Sequence, residues 1–223
     1  MEDGKVMINI LYEDNHLLVV EKPINVPVQE DRSGDMDFLS ILKEDLKKRY
    51  QKPGNVYLGL VHRLDRPVGG IMVFAKTSKA ASRLSEQVRT HQLKKVYHAV
   101  ITGNLMSSGH FEDYLIKDSK KNLVRVDKSG KLSILDYEVI AHQKNMTLVK
   151  IYLKTGRSHQ IRVQFSSRNY PLYGDQRYNK SAIPKEQIAL FASSLSFLHP
   201  ITKESLTFSL NLPDRYPFKA FHI

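Results

Sequence analysis

Apolar residues in this chain form short continuous runs in some stretches and helical spacings in others, which predicts strands mixed with helices. Leu17–Lys22, which is apolar up to Val20, and the apolar run Ile71–Ala75 are bounded by turn residues, as is typical of buried strands. Three leucines fall on one face of a predicted helix over residues 36–50, and Asp35 stands at its start as the expected cap.

The rest of the chain predicts further helices and strands. We expect a helix from Thr77 to about His91, a short helix over 158–168, and strands over 95–101, 133–142, 147–153, 188–191 and 206–210. Residues 104–130 are rich in turn residues and charges, which indicates hairpins and a surface loop. The sequence contains no repeat, low-complexity tract or linker, so we expect a single domain over residues 1–223. Antiparallel strands with a few helices favour an α+β fold.

One carboxylate, Asp65, stands among cations in an irregular stretch between two apolar segments. The stretch His62–Pro67 is followed by Gly69-Gly70. Proline disfavours helical backbone in the preceding residue, and glycine permits backbone angles denied to other residues, so a loop is predicted. A loop held at both ends by core segments suits a reactive group that must be fixed. The alternative is an exposed acid paired with Arg63 or Arg66, since surface ion pairs are common.

The net charge of the chain indicates more about its function than its overall composition does. Thirty-four Lys and Arg against 23 Asp and Glu give a formal charge of +11, which attracts polyanions. Nucleic acid is therefore the first partner to expect, and an anionic membrane surface the second. The chain has no cysteine, which excludes disulfides, thiolate metal sites and a cysteine nucleophile. No apolar run has the length of a signal peptide or a membrane span, so we expect a cytoplasmic protein.

Several segments, in order along the chain, resemble those of the RluA-type pseudouridine synthases. The three central motifs are His62–Asp65, Lys95–Val100 and Gly156–Val163, and the flanking segments are Ile10–Pro23, Pro171–Tyr178 and Leu198–Pro200. The likeness runs from about Ile8 to Leu212. It implies the pseudouridine synthase fold, a large mixed and mainly antiparallel sheet flanked by helices and loops. It also implies a short form that lacks the small N-terminal RNA-binding domain of many relatives.

The resemblance implies an enzyme that isomerises specific uridines in structured ribosomal or transfer RNA, without a cofactor or a metal. By matched position, Asp65 is the catalytic aspartate, Tyr97 the aromatic residue packed on the target base, and Arg162 the basic partner of the aspartate. Arg63 then helps to fill the space that a flipped nucleotide vacates. The remaining residues of the motifs expected beside the substrate are His62, Arg157, His159 and Ile161. We expect the protein to be a monomer.

The chemistry of such a reaction asks for the same residue types. Attack at C1′ of the ribose, or removal of a proton from C2′, needs an ionised carboxylate. Burial alone raises the pKa of a carboxyl group, and a nearby arginine lowers it again by favouring the charged form. A uridine inside a stacked helix cannot reach Asp65, so the nucleotide must leave the stack. Recognition then depends on the shape of an RNA stem-loop.

Two other functions fit parts of the sequence. A glycoside hydrolase normally needs two cooperating carboxylates, whereas this loop offers only Asp65. A catalytically inactive RNA-binding module would explain the charge, but it predicts damage to the motifs, and Asp65, Tyr97 and Arg162 are all present. The histidines lack the i,i+4 pairing of a helical zinc site. The chain departs from the family's usual Thr-Ser-Gly at Val68-Gly69-Gly70, and Gln164 and Phe191 stand where histidine is common.

Overall fold

The computed structural model describes residues 7–31 and 33–222, which form two compact units. The first unit comprises the described residues of 1–93 together with 194–210, and the second comprises 94–193 together with 211–222. A single catalytic domain over residues 1–223 stays a prediction.

The first unit is built from antiparallel strands and two helices. Its elements are β1 (Asn9–Glu13), β2 (Leu17–Lys22), α1 (Phe38–Arg49), β3 (Gly59–Leu60), β4 (Gly69–Ala75), α2 (Ser78–Arg89) and β11 (Ser205–Ser209). Strand β2 pairs with β1 and with β4, and β3 pairs with β4. Strand β10 (Leu190–Leu198) runs from the second unit into the first, where its residues 194–198 pair with β11.

Helices on both faces explain the apolar run of β4. Val73 belongs to the same core cluster as Leu84 of α2. The next residue, Phe74, has its ring centroid 6.1 Å from that of Phe38 in α1. Because successive residues of a strand point to opposite faces, the two helices cover opposite faces of β4. Every residue of β4 is therefore buried, and the strand reads as a continuous apolar run.

Helix α1 is capped by Asp37, so the predicted cap at Asp35 is wrong. Asp37 has extended backbone angles, and its Oδ1 accepts a hydrogen bond from the N–H of Ser40 at 3.0 Å. This contact satisfies one of the amide groups that the first turn of a helix leaves unpaired. Asp35 lies outside the helix and binds the guanidinium group of Arg66 instead.

The second unit is an antiparallel sheet with one short α-helix. Its elements are β5 (Lys94–Thr102), β6 (Gly109–Asp118), β7 (Leu123–Val126), β8 (Lys131–Gln143), β9 (Met146–Leu153), α3 (Gln160–Ser166) and a 3₁₀ helix (Phe218–Phe221). The strand order is β5-β9-β8-β6-β7, with antiparallel pairing at each step. Strands β6 and β7 confirm the hairpin predicted within residues 104–130.

Helix α3 is shorter than predicted and is seated on the sheet by aromatic side chains. It begins at Gln160 because His159 has a left-handed backbone, with φ of 51°. The ring of Phe165 lies 5.0 Å from that of Phe111 on β6 and 5.3 Å from that of Tyr137 on β8. This cluster fixes α3 against two strands, since aromatic rings at such separations attract each other beyond their burial.

Helices together with mainly antiparallel strands confirm the predicted α+β class over the described residues. In the same part of the chain, no helix is both long enough and apolar enough to cross a membrane.

Candidate active site

Asp65 lies on a tight turn in the first unit. The N–H of Val68 donates to the carbonyl oxygen of Asp65 at 2.9 Å, which closes a turn of four residues. The flanking side chains of Leu64 and Val68 are 7% and 1% exposed, whereas Asp65 itself is partly exposed. The prediction of a loop that is held at both ends by core segments is therefore confirmed, and the role of Asp65 stays a prediction.

Lys22, at the end of β2, binds this turn from inside the core. Its side chain is fully buried, and its Nζ donates to the carbonyl oxygens of Pro23, Arg66 and Val68 at 2.8, 3.1 and 2.9 Å. The three N–H donors of an ammonium group match these three acceptors. Sequence reasoning missed Lys22, although a lysine that ends an apolar run just before a proline was the available signal.

The charge of Lys22 is coupled to Asp65. Burial lowers the pKa of Lys22 to about 7, because a charged group loses its hydration in the core. The negative charge of Asp65 acts in the opposite direction, and the positive charge of Arg66 acts in the same direction as burial. The backbone that carries Asp65 is therefore held by a group whose charge depends on that carboxylate.

Two glycines begin β4 directly after the turn, two residues before the predicted start of the strand at Ile71. Gly70 has φ of 124°, a region that other residues rarely adopt. A Cβ atom on Gly69 would lie 3.1 Å from the carbonyl oxygen of Lys22 and 3.1 Å from Cγ2 of Ile24. A glycine is needed at position 69 because two backbone segments approach each other closely there. A glycine is needed at position 70 because of its positive φ angle.

The arginines on either side of Asp65 reach the loop that precedes α1. Arg63 is exposed, and its Nη1 donates to Oε1 of Gln29 at 3.3 Å. Arg66 donates to the hydroxyl of Ser33 at 2.8 Å and binds the carboxylate of Asp35. The hydrogen bond from Arg66 lowers the pKa of the Asp35 carboxyl group. Both arginines stay near the surface, where they can meet an anionic partner.

His62, predicted to lie beside the substrate, is a buried residue. It is 7% exposed, and its Nε2 accepts a hydrogen bond from the N–H of Val73 at 3.2 Å. A ring nitrogen that accepts a hydrogen bond carries no proton, so His62 is neutral in this arrangement. Through this hydrogen bond His62 connects the stretch that precedes Asp65 to β4.

Tyr97 lies on β5, opposite Ile151 of β9, and is 6% exposed. The next residue, His98, has its Nδ1 2.8 Å from the hydroxyl of Ser193. Burial and the nearby charge of Lys150 lower the pKa of His98 to about 4, so its ring is neutral near pH 7. Pairing with β9 and burial hold the backbone of Tyr97 within the sheet of the second unit.

Arg162 forms a buried, two-pronged ion pair with Asp175. Its Nε and Nη2 donate to Oδ2 and Oδ1 of Asp175 at 2.8 and 2.7 Å, and the two residues are 6% and 1% exposed. Parallel hydrogen bonds of this kind fix the plane of a guanidinium group as well as its charge. Asp175 is a second residue that sequence reasoning missed.

A glutamine organises the turn that leads into α3. Oε1 of Gln160 accepts from the hydroxyl of Thr155 at 2.8 Å and from the N–H of Arg157 at 3.1 Å. Its Nε2 donates to the carbonyl oxygen of Ile134 on β8 at 3.1 Å. The buried amide therefore ties the end of β9 and the beginning of α3 to the neighbouring strand.

The other predicted substrate-binding residues lie in different environments. Arg157 is exposed, with its Nε donating to the carbonyl oxygen of Leu132 at 3.0 Å. His159 is partly buried, with its Nδ1 2.6 Å from the hydroxyl oxygen of Tyr178. Ile161 is 5% exposed, as a core residue is.

The structure groups the predicted residues by unit. In the first unit, it brings Lys22 to the loop of Asp65, with Arg63 and Arg66 beside it. In the second unit, it brings Arg162 to Asp175. The pairing of Asp65 with Arg162 stays a prediction. Within residues 7–31 and 33–222, no three His, Asp or Glu side chains are close enough together to hold a metal ion, and a reaction without metal stays a prediction as well.

Comparison with protein families matches residues 16–167 of this chain to the RNA pseudouridylate synthases. The matched range contains all three motifs found in the sequence. The chain is 31% identical over 226 residues to the ribosomal large subunit pseudouridine synthase D of Zymomonas mobilis, covering 95% of this chain and 71% of that protein. It is 34% identical over 225 residues to the ribosomal large subunit pseudouridine synthase C of Buchnera aphidicola, covering 95% and 68%.

Solved structures show the same fold. The human RNA pseudouridylate synthase domain containing 4 matches with a TM-score of 0.77 and 25% identity, covering 92% of this chain and 88% of that chain. The human RNA pseudouridylate synthase domain containing 1 also matches with a TM-score of 0.77, at 22% identity, covering 98% and 89%.

Proposed function

Because this chain belongs to the RluA-type family of RNA pseudouridine synthases, we propose that it converts specific uridines in structured RNA to pseudouridine. The reaction breaks the bond between C1′ and N1, turns the base and joins C1′ to C5. The hydrogen on C5 leaves as a proton and N1 gains one, so the RNA keeps its composition. The relatives' names refer to the large ribosomal subunit. Large-subunit ribosomal RNA is therefore the first substrate to test, with transfer RNA beside it.

The single observation that carries the proposal is the turn of Asp65. A carboxylate that attacks C1′, or removes a proton from C2′, must be accessible and must also be held still. Asp65 is partly exposed, while buried Lys22 binds the carbonyl oxygens of Arg66 and Val68 in the same turn. We assign Asp65 as the catalytic carboxylate on this ground.

Arg162 and Tyr97 complete the proposed set of catalytic residues. A cation beside a carboxylate favours its ionised form, and Arg162 is a suitable cation because Asp175 fixes its orientation. Tyr97 supplies an aromatic ring for the face of the uracil, a contact worth about 1–3 kcal/mol per base in single-strand binding. Both residues lie on buried elements, which limits their movement.

RNA binding follows from charge and from access to the base. A formal charge of +11 supports a grip on phosphates that does not depend on sequence. The target uridine must be flipped out of its stack to reach Asp65, and exposed Arg63 is suited to occupy the space that it leaves. Arg157 is exposed as well and can reach phosphate, whereas His62 and Ile161 support the site from the core. We propose that the protein acts in the cytoplasm as a monomer, without a cofactor.

A map of pseudouridine in ribosomal and transfer RNA, from cells with and without this gene, tests the function. We expect one or a few sites to be lost, and to be restored by the wild-type gene but not by Asp65→Asn. The proposal is contradicted if the map is unchanged and the purified protein also converts no uridine in those RNAs. A catalytically inactive RNA-binding module would give that result, although the presence of Asp65, Tyr97 and Arg162 argues against it.

A further inference from the structure

Tyr178 connects three parts of the second unit. Its hydroxyl oxygen accepts a hydrogen bond from the N–H of Val124 in β7 at 2.9 Å. The same oxygen lies 2.6 Å from Nδ1 of His159, the residue that immediately precedes α3. The Cζ atom of Arg162 lies 5.1 Å from the centroid of the Tyr178 ring. One side chain therefore contacts the β6–β7 hairpin, the start of α3 and the arginine of the proposed site.

The hydroxyl group can make both of its hydrogen bonds at once. A tyrosine hydroxyl donates one hydrogen bond and can accept others, and the N–H of Val124 uses one acceptor position. The O–H of Tyr178 remains free to donate to Nδ1 of His159 when that nitrogen carries no proton. His159 needs such support, because its left-handed backbone is uncommon for a residue other than glycine and its side chain makes no capping bond to α3.

His159 immediately precedes α3 and Arg162 lies in its first turn. Both side chains reach Tyr178. Asp175 binds one edge of the Arg162 guanidinium group, and its Oδ1 also accepts a hydrogen bond from the N–H of Tyr178 at 3.2 Å. Asp175 and Tyr178 thus belong to one turn that holds Arg162 by ion pairing and by a cation–ring contact.

We propose that Tyr178 is a positioning residue, which holds Arg162 at the angle that the reaction needs by fixing the start of α3 through its hydroxyl group. Tyr178 acts through Arg162 and contributes no chemistry of its own. The expected effect on kcat rests on the proposed function, whereas the expected effect on the orientation of the Arg162 side chain does not. A small misplacement of a group that orients the reactants can cost a large factor in rate, so the loss of this one hydroxyl must be measurable.

The variant Tyr178→Phe removes the hydroxyl and keeps the ring. A matched control is Tyr173→Phe, because Tyr173 lies in the same segment but its hydroxyl binds Glu186 rather than a residue of α3. With RNA that the wild type modifies, we expect kcat of Tyr178→Phe to fall about tenfold or more, while KM and the Kd for RNA stay within about twofold. Tyr173→Phe keeps the wild-type kcat.

A second variant tests the same contact from the other side. His159→Asn removes the ring that the Tyr178 hydroxyl binds, and we expect a similar fall in kcat. The double variant His159→Asn with Tyr178→Phe then loses little more than either single variant, since each removes one partner of one contact. Fully additive losses contradict the proposal.

A measurement that does not use activity separates this inference from the proposed function. The exchange rate of the Arg162 Nε–H with water, followed by NMR in the free protein, must rise about tenfold in Tyr178→Phe and stay unchanged in Tyr173→Phe. If the wild type converts no uridine, the proposed function fails and this exchange rate alone decides the inference. The inference is overturned if Tyr178→Phe changes neither the exchange rate of the Arg162 Nε–H nor kcat. A weaker Kd for RNA at constant kcat also overturns it, because Tyr178 is then an RNA contact.

Discussion

The side-chain nitrogen of Lys22 lies 3.1 Å from the carbonyl oxygen of Arg66, so a buried amine holds the backbone of the residue that follows Asp65. The carbonyl oxygens of Pro23 and Val68 complete its surroundings at 2.8 and 2.9 Å. The position of the proposed catalytic carboxylate is therefore set from inside the core of the first unit, and not only by the turn itself.

The variant Lys22→Met must change how stability depends on pH. The pKa of Lys22 is lowered by burial to about 7 in the folded chain, against 10.5 as its ordinary value. Between these two pH values the unfolded chain binds more protons than the folded chain, so the free energy of unfolding rises with pH. We expect the wild type to gain about 1 kcal/mol per pH unit relative to Lys22→Met in this range. Urea unfolding at several pH values measures it, and parallel pH profiles for the two proteins would refute it.

The variant Asp175→Asn leaves the guanidinium group of Arg162 buried without its carboxylate. Loss of one partner from a buried ion pair typically costs about 3–5 kcal/mol of unfolding free energy. The control is Glu86→Gln, because Glu86 pairs with Arg89 at the surface, where the two side chains are 55% and 73% exposed. We expect a much smaller loss from the Arg89 ion pair, since water replaces it. Chemical denaturation measures the free energy of unfolding of the two variants. Equal losses would show that the buried ion pair stabilises the fold no more than the exposed one.

The variant Gly174→Ala must destabilise the turn that carries Asp175. Gly174 has φ of 68°, and a Cβ atom there would clash with the carbonyl oxygen of Gln187. The left-handed backbone alone costs an alanine about 1–2 kcal/mol, and the clash adds to this. Gly54→Ala is the control, because no atom lies within 4 Å of the added Cβ. Thermal unfolding should show a clear fall in Tm for the first variant only; a similar Tm for both would show that the turn tolerates a side chain.

The variant Arg63→Ala must weaken RNA binding in a way that depends on salt. Arg63 is exposed beside Asp65, where it can meet a phosphate of the bound RNA. Loss of one phosphate contact reduces the slope of log K against log salt concentration by about 0.7–0.9. Arg89→Ala is the control, since Arg89 is exposed on α2 and paired with Glu86. Binding titrations at several salt concentrations measure the slopes, and an unchanged slope for Arg63→Ala would show that Arg63 contacts no phosphate of the RNA.

Apolar patterning was enough to predict β2 and β4, because a strand that is buried on both faces has few polar positions. It was not enough to choose the cap of α1. Asp35 and Asp37 are both acids that precede the helix, and the choice depends on which of them has an extended backbone next to its first turn. Asp35 instead binds the guanidinium group of Arg66, and no local pattern in the sequence indicates that contact.

The supporting residues of the site could not be predicted for a related reason. Lys22 binds Arg66 across 44 positions of sequence, Asp175 binds Arg162 across 13, and Tyr178 binds His159 across 19. Periodicity describes which face of an element is buried, but it carries no information on such pairs. The motifs identify the residues that are proposed for the chemistry. The residues that hold these in place are separated from them in the sequence and come together only in the folded chain.

The central claim, that Asp65 is the catalytic carboxylate of a uridine isomerase, is tested most directly by tritium release from ribosomal RNA labelled at C5 of uridine. Joining C1′ to C5 displaces the hydrogen on C5, so each pseudouridine formed releases one label into water. We predict release by the purified wild type and none detectable by Asp65→Asn, whose Kd for the RNA stays within about twofold because the side chain keeps its size. Release by Asp65→Asn at the wild-type rate would contradict the claim.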